Sequence, residues 1–242
     1  MSSHPSLVIL TGAGISAESG LATFRGAEGL WEGHRVQDVA TPEGFEHNPG
    51  LVHRFYNQRR AALSAVQPNA GHEALVRLEK SWPVEFLLIT QNVDDLHERA
   101  GSRKLRHMHG ELLRTLCIAC GKSSPWQGGM GPDSFCPQCM KKGKLRPDIV
   151  WFGEMPYFMD EIFAALNRCD IFIAVGTSGH VYPAAGFVRT ANARGARTIE
   201  VNLADTAASE SFDERRTGPV TQVLPALVNE LLPRRIWSRF SD

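Results

Sequence analysis

Leu7-Val8-Ile9-Leu10-Thr11-Gly12-Ala13-Gly14-Ile15-Ser16-Ala17 is the stretch that decides how this chain folds. The apolar run Leu7–Leu10 reads as a strand buried on both faces, the kind that builds parallel sheets. It runs straight into Gly12-Ala13-Gly14-Ile15-Ser16-Ala17, which fits the pattern G-x-G-x-x-A. Glycines there let the backbone approach a pyrophosphate, and the N-terminus of the following helix offers N–H donors and a favourable dipole. A glycine-rich turn can also serve chain geometry alone, so its meaning depends on the rest of the chain.

Three further runs have the same character: Phe86–Thr90, Ile171–Gly176 and Thr198–Asn202. Helical patterns lie between them, which predicts an α/β fold with a Rossmann-like parallel sheet covered by helices on both faces. In such sheets ligands bind beyond the carboxyl ends of the strands. Here those ends carry Gly12-Ala13-Gly14, Gln91-Asn92-Val93-Asp94, Gly176-Thr177-Ser178 and Asn202, all aimed at one crevice. A dehydrogenase would keep a ribose-binding carboxylate at the end of its second strand, about 20 residues past the turn. This chain has Thr23-Phe24-Arg25-Gly26 instead, a cationic loop. Nucleotide binding is favoured and hydride transfer is not.

Two stretches break the alternation. One, residues 36–69, contains a helical segment from Pro49 to Val66 that carries Tyr56, Arg59 and Arg60. The other, residues 111–150, holds Cys117, Cys120, Cys136 and Cys139 as two C-x2-C pairs fifteen residues apart, a zinc-site spacing. Four thiolates give a closed tetrahedral site, so the metal is structural and stays out of the reaction. The segment has too few large apolar residues for a core of its own, and ligation is what folds it. Lys141, Lys142 and Lys144 lack the aromatic platform of a nucleic-acid-binding ribbon. The expected organisation is a nucleotide-binding domain from residues 1–35, 70–110 and 151–242, with both insertions forming a small domain beside it.

Composition supports this class. The 242 residues are 43% hydrophobic and 21% charged, with a formal net charge of zero, which suggests neither nucleic acid nor an anionic membrane as partner. No apolar run is long enough to span a bilayer, and the first residues lack the features of a signal peptide. The cytoplasm is the expected compartment and a monomer the expected state. Cys169, outside the paired motifs, reads as a small buried hydrophobe.

Among nine histidines, position singles out His109, which follows the strand-like run Leu105 to Met108 at the edge of the cysteine insertion. A histidine at such a junction suits a general base. His107, two positions earlier, would share its face in a regular strand, so alternation does not choose between them.

Taken together and in order, these motifs, with Phe152-Gly153-Glu154 and Val201-Asn202, resemble the sirtuins, NAD-dependent protein-lysine deacylases. The resemblance runs from Leu7 to about Val223 and is nearest the bacterial CobB type, with Val93 where isoleucine is usual. It implies that acyl-lysine and NAD yield free lysine, nicotinamide and 2′-O-acyl-ADP-ribose, with His109 as base and Asn92 as the second catalytic residue. It places Gly12, Ala13, Gly14, Ile15 and Ser16 at the pyrophosphate. Thr23, Phe24 and Arg25 would lie in a loop closing over NAD, and Gln91, Asn92, Val93 and Asp94 at the nicotinamide ribose and carboxamide. Gly176, Thr177 and Ser178 would meet phosphate and ribose, Asn202, Leu203 and Ala204 the adenosine, and Val220 the adenine, while Glu18 and Trp31 belong to the same cofactor set. Gly153, Glu154 and Val181 would pair with an extended substrate peptide.

Members of the family that remove acidic acyl groups carry Y-x-x-R, which Tyr56-Asn57-Gln58-Arg59 matches, and a small residue where Ala40 stands. Tyr56 and Arg59 share a helix face, and a guanidinium with a phenol suits a desolvated carboxylate. Arg60, on another face, reads as ordinary surface. The expected activity is therefore deacetylation and desuccinylation. Two alternatives are mono-ADP-ribosyl transfer in the same fold, and a non-catalytic NAD or acyl-lysine reader; intact His109, Asn92 and Asp94 weigh against both.

Overall fold

The computed structural model describes residues 5–22, 30–31 and 33–232, and of residues 30 and 31 the backbone alone. The chain runs through β1 (Leu7–Thr11), α1 (Gly14–Ala17), the short pair β2 (Leu30–Trp31) and β3 (His34–Arg35), then α2 (Val36–Val39), α3 (Pro42–His47), α4 (Pro49–Ala62) and α5 (Ala70–Ser81). Next come β4 (Phe86–Thr90), α6 (Leu96–Ala100), β5 (Leu105–His107), β6 (Gly110–Cys117), β7 (Ser123–Pro125) and β8 (Leu145–Ile149). The last third is α7 (Met159–Leu166), β9 (Ile171–Val175), α8 (Phe187–Asn192), β10 (Arg197–Asn202), β11 (Glu214–Thr217) and α9 (Val220–Leu231).

The main sheet has six strands in the order β11-β10-β9-β1-β4-β5, every pair parallel. β1 is buried along its whole length because both its faces are covered, which is why its sequence is a continuous apolar run rather than an alternation. Leu7 and Ile9 face one core layer with Leu75 and Leu78 of α5 and Leu224 and Val228 of α9. Val8 and Leu10 face the other, with Ile162 and Leu166 of α7 and Phe187 of α8. Burying each such aliphatic side chain contributes about 1.5–3 kcal/mol. Cys169 sits in this second layer, as a small buried residue.

β6 pairs antiparallel with β7 and β8 in a separate three-stranded sheet. Against it pack Val39, Val52, Phe55 and Tyr56 from α2 and α4, in one apolar cluster with Leu112, Ile149 and Trp151. α4 begins where Asn48 accepts the Leu51 N–H at 3.0 Å and Pro49 fills the first turn. Its α-helical hydrogen bonding ends at Ala62 and tightens into a single 3-10 turn, Leu63–Ala65, so the helix is shorter than the sequence pattern predicts.

Arg60 is not surface. It is 5% exposed, and its guanidinium donates to Leu112 O at 2.7 Å, Asn57 Oδ1 at 2.8 Å and Gly128 O at 3.3 Å. The cysteine-bearing segment covers the α4 face that a lone helix would leave in water. Among the described residues, no helix is long and apolar enough to cross a membrane.

Candidate active site

The glycine turn after β1 is locked to the turn after β9. Gly12 N–H donates to Val175 O at 3.0 Å and Gly14 N–H to Gly176 O at 2.9 Å. A Cβ on Gly14 would fall 2.6 Å from Gly176 Cα, and one on Gly176, whose φ is +61°, would fall 2.5 Å from Ile15 N. Only glycine permits two strand ends to meet so closely. α1 is only four residues long, and the Ile15 and Ser16 amides donate back to Gly12 and Ala13 carbonyls. The expected crown of helix N–H donors is therefore mostly used within the turn itself.

A cavity of about 680 Å³ opens over these strand ends. Its wall takes in Gly12, Ala13, Gly14, Ser16 and Glu18 from the first turn, and Gln91, Asn92, Val93 and Asp94 after β4. Gly176, Thr177, Ser178 and Val181 follow β9, Asn202 and Leu203 close β10, and Val220 opens α9. The cavity then continues past His109 to Ala40, Tyr56 and Arg59, with Gly153 and Glu154 on its rim. The strand ends and the α4 pair thus share one space.

Other expected residues fall elsewhere. Ile15 is fully buried in the core beside β1, and Ala204 is exposed and off the wall. The backbone of Trp31 lies in β2, while Thr23, Phe24 and Arg25 lie outside the described residues. Glu18 has its carboxylate engaged by Thr221 at the start of α9, with N–H at 3.2 Å and hydroxyl at 2.5 Å. Glu154 is not positioned as an open strand edge, because its N–H donates to Trp151 O at 3.0 Å. Gly153 beside it, at φ +93°, is in a left-handed rather than an extended conformation.

The two histidines separate clearly. β5 ends at His107 and the chain bends before Gly110, whose φ is +80°, so strict alternation fails between them. His107 lies off the cavity wall, with Nδ1 2.9 Å from Asn92 O and Nε2 2.6 Å from Glu98 Oε1. Burial alone would lower its pKa, but the Glu98 carboxylate and the Asn92 carbonyl outweigh that and raise it, and acceptors at both nitrogens favour the protonated ring.

His109 lies on the wall. Its Nδ1 is 3.2 Å from Gln91 O, and a carbonyl can only accept, so Nδ1 carries the hydrogen and Nε2 the lone pair. Burial lowers its pKa, against the opposing pull of that carbonyl, so the neutral ring is favoured. A neutral imidazole with a lone pair at Nε2 can take a proton.

Behind it, Asn92 Nδ2 donates to Ser16 Oγ at 3.1 Å, and Ser16 Oγ–H donates to Asp94 Oδ2 at 3.1 Å. The Leu96 N–H holds the other Asp94 oxygen at 3.1 Å. Burial raises the Asp94 pKa, with these hydrogen bonds opposing it. Across the cavity, Asn202 Nδ2 donates to Thr177 O at 2.6 Å, fixing the ends of β9 and β10 together. The polar set is thus prealigned by neighbours rather than left to rotate.

Cys117, Cys120, Cys136 and Cys139 bring their sulfurs within 4.8 Å of one another. Cys117 Sγ is 3.7 Å from Cys139 Sγ, and Cys120 Sγ is 3.9 Å from Cys136 Sγ. Four ligands at a Zn–S distance of about 2.3 Å in a tetrahedron require sulfurs about 3.8 Å apart. The set fits zinc. Gln138 and Cys139 N–H groups donate to Cys136 Sγ at 3.3 and 3.4 Å, which favours a thiolate. None of the four lines the cavity, so a metal here supports the fold.

Sequence reasoning passed over Trp151, Leu112, Leu63 and Tyr182, all on the cavity wall. The first three sit in the apolar cluster that joins the two insertions, a packing no single-segment pattern reveals. Tyr182 is 66% exposed at the cavity mouth and carries no motif.

The family model for the Sir2 family matches residues 12–183. The chain belongs to the Sir2 family. The matched part of this Sir2-family protein contains the glycine turn, the polar end of β4, His109 and all four cysteines. Among its relatives is an NAD-dependent protein deacylase of Salmonella typhimurium, 56% identical over 96% of this chain and 86% of its own length. A protein of the same name from Escherichia coli K12 is 55% identical over 94% and 82%. Solved structures agree. A mutant Sir2 homologue bound to ADP-ribose superposes with a TM-score of 0.86 at 40% identity, covering 93% of this chain and 91% of that one. A Sir2 homologue–NAD complex gives 0.85 at 40% identity, covering 93% and 89%.

Proposed function

We propose that this Sir2-family protein is an NAD-dependent protein-lysine deacylase that removes acetyl groups and acyl groups ending in a carboxylate, such as succinyl. The observation that carries this is the continuity of the cavity from the glycine turn through His109 to Tyr56 and Arg59. One end has the hydroxyls, amides and bare glycine backbone that a dinucleotide needs, and the other has a phenol and a guanidinium. Residues 36–69 and 111–150 together form the small domain in this reading, and the rest forms the NAD-binding domain.

NAD, bound along Ser16, Thr177, Ser178 and Asn202, would supply a ribose carbon that becomes electrophilic as nicotinamide leaves. Asn92 and Asp94 would hold the ribose end, and because Ser16 already prealigns them little reorganisation is needed. His109 Nε2, which holds the lone pair of the neutral ring, would accept the proton of a ribose hydroxyl. Val93, Leu112 and Ile149, apolar on the cavity wall, would help to keep water from the reacting groups. A stretch of acylated protein would enter beside Gly153 and Val181, and Arg59 with Tyr56 would receive a distal carboxylate. Acylated proteins are the partners in this reading.

Replacing Arg59 with Met tests the acyl assignment. A hydrogen bond to a charged group contributes about 1.5–3 kcal/mol net, so its loss weakens succinyl-lysine about 10- to 150-fold. The effect should appear in KM for succinyl peptides, and the succinyl-to-acetyl ratio of kcat/KM should fall accordingly. An equal fall for both peptides would mean that Arg59 only supports α4.

A further inference from the structure

Tyr56 does not stand alone in the acyl end of the cavity. Its hydroxyl oxygen accepts the indole N–H of Trp151 at 3.0 Å, with both side chains buried. An indole nitrogen only donates. The bond therefore occupies a lone pair of the phenol oxygen and turns the phenol hydrogen away from Trp151. A carboxylate is acceptor-only and needs that hydrogen as a donor. Burial raises the Tyr56 pKa, which favours the protonated phenol that can donate.

The indole is itself clamped. The Arg146 guanidinium lies 3.7 Å from the centre of the Trp151 ring and makes a forked pair with Glu154, at 2.6 and 2.8 Å. Glu154 Oε2 also accepts the Trp151 backbone N–H at 2.8 Å, and Arg146 donates to Ile149 O at 2.6 Å. A stacked, desolvated guanidinium held by a bidentate carboxylate has little freedom to move. The network thus runs from Glu154, at the cavity rim, through Arg146 and Trp151 to the Tyr56 hydroxyl.

We propose that Trp151 is a specificity-determining positioning residue: its indole N–H sets the Tyr56 hydroxyl as donor to the distal carboxylate of an acidic acyl-lysine, and the Arg146–Glu154 pair holds the indole for that task. This rests on the acidic-acyl reading of Tyr56 and Arg59. Trp151 touches no reacting atom and acts through Tyr56. Without it the phenol oxygen loses the donor that turns its hydrogen away from the indole.

The test is Trp151→Phe, which keeps an apolar ring and removes the N–H, assayed with paired succinyl- and acetyl-lysine peptides. The succinyl-to-acetyl ratio of kcat/KM should fall about three- to tenfold, the size of one neutral hydrogen bond, with the change in succinyl KM rather than kcat. In a Tyr56→Phe background the same substitution should shift the ratio no further, because the N–H has lost the group it acts on. A merely structural role would lower both acyl activities together and would add to Tyr56→Phe; either result overturns the proposal. Tyr56→Phe alone must also lower the ratio, a requirement independent of how well Trp151→Phe folds. If Arg59→Met lowers the ratio and Trp151→Phe does not, the positioning role fails while the acidic-acyl reading stands. If Arg59→Met leaves it unchanged, both fall.

Discussion

In His109→Ala, kcat should fall about 10²- to 10⁴-fold, the range a positioned general base contributes, while zinc content and thermal stability hold. The expectation follows from the ring's geometry. Gln91 O fixes the hydrogen on Nδ1, so the neutral ring presents the Nε2 lone pair, and burial favours that neutral form. The sign of the pH dependence follows. Burial lowers the pKa, so the base survives to more acid pH than an exposed histidine would. In the wild type, kcat/KM should decline on the acid side with a midpoint below the ordinary histidine value of 6.5. His107→Gln should leave that midpoint in place, since His107 faces Glu98 rather than the cavity. A His109→Ala enzyme keeping more than about a tenth of wild-type kcat would remove His109 from the base role.

Cys136→Ser should take zinc from one atom per chain to nearly none and leave the protein insoluble or grossly destabilised. Structural zinc in small modules has an apparent binding free energy of about 10–16 kcal/mol, comparable to or larger than the whole stability of a typical domain. Cys136 is the most sensitive of the four because it is buried and accepts two backbone N–H groups at its sulfur. Around it, Met130 and Leu145 are, among the described residues, the only large buried apolar side chains in the cysteine cluster, too few to hold the segment without metal. Damage should spread to α4, because the Asn57 side-chain amide donates to Met130 O and accepts from Met130 N–H, and Arg60 donates to Gly128 O and Leu112 O. Elemental analysis and a melting curve decide it. Active, well-folded protein free of metal would refute the zinc assignment.

The parts of the fold that were readable in the sequence are those whose burial is symmetrical. β1, β4 and β9 are covered on both faces, so they appear as uninterrupted apolar runs with polar or glycine-rich ends. β11, Glu214-Arg215-Arg216-Thr217, escaped notice because it is an edge strand with alternately half-buried and exposed residues and a charged sequence. β6 to β8 were hidden among glycine, proline and cysteine, where metal and cross-strand pairing replace hydrophobic periodicity.

The site divides along the same line. Residues at strand ends were found because topology alone brings strand ends together. His107 and His109 could not be separated by alternation, because the chain bends between the end of β5 and Gly110. Arg60 and Trp151 were missed for a common reason: Arg60 meets Leu112 and Gly128, and Trp151 meets Tyr56, where α4 packs on the chain around β6 and β8, a contact that neither segment alone carries.

The central claim is NAD-dependent transfer of an acyl group from lysine. Its most direct test is mass spectrometry of the zinc-bound protein incubated with an acetyl- or succinyl-lysine peptide, with and without NAD. The account predicts free lysine peptide, nicotinamide and O-acyl-ADP-ribose in equal amounts, with no reaction when NAD is withheld. Deacylated peptide formed without NAD, or NAD consumed into ADP-ribosylated protein with the acyl group still on lysine, would contradict it.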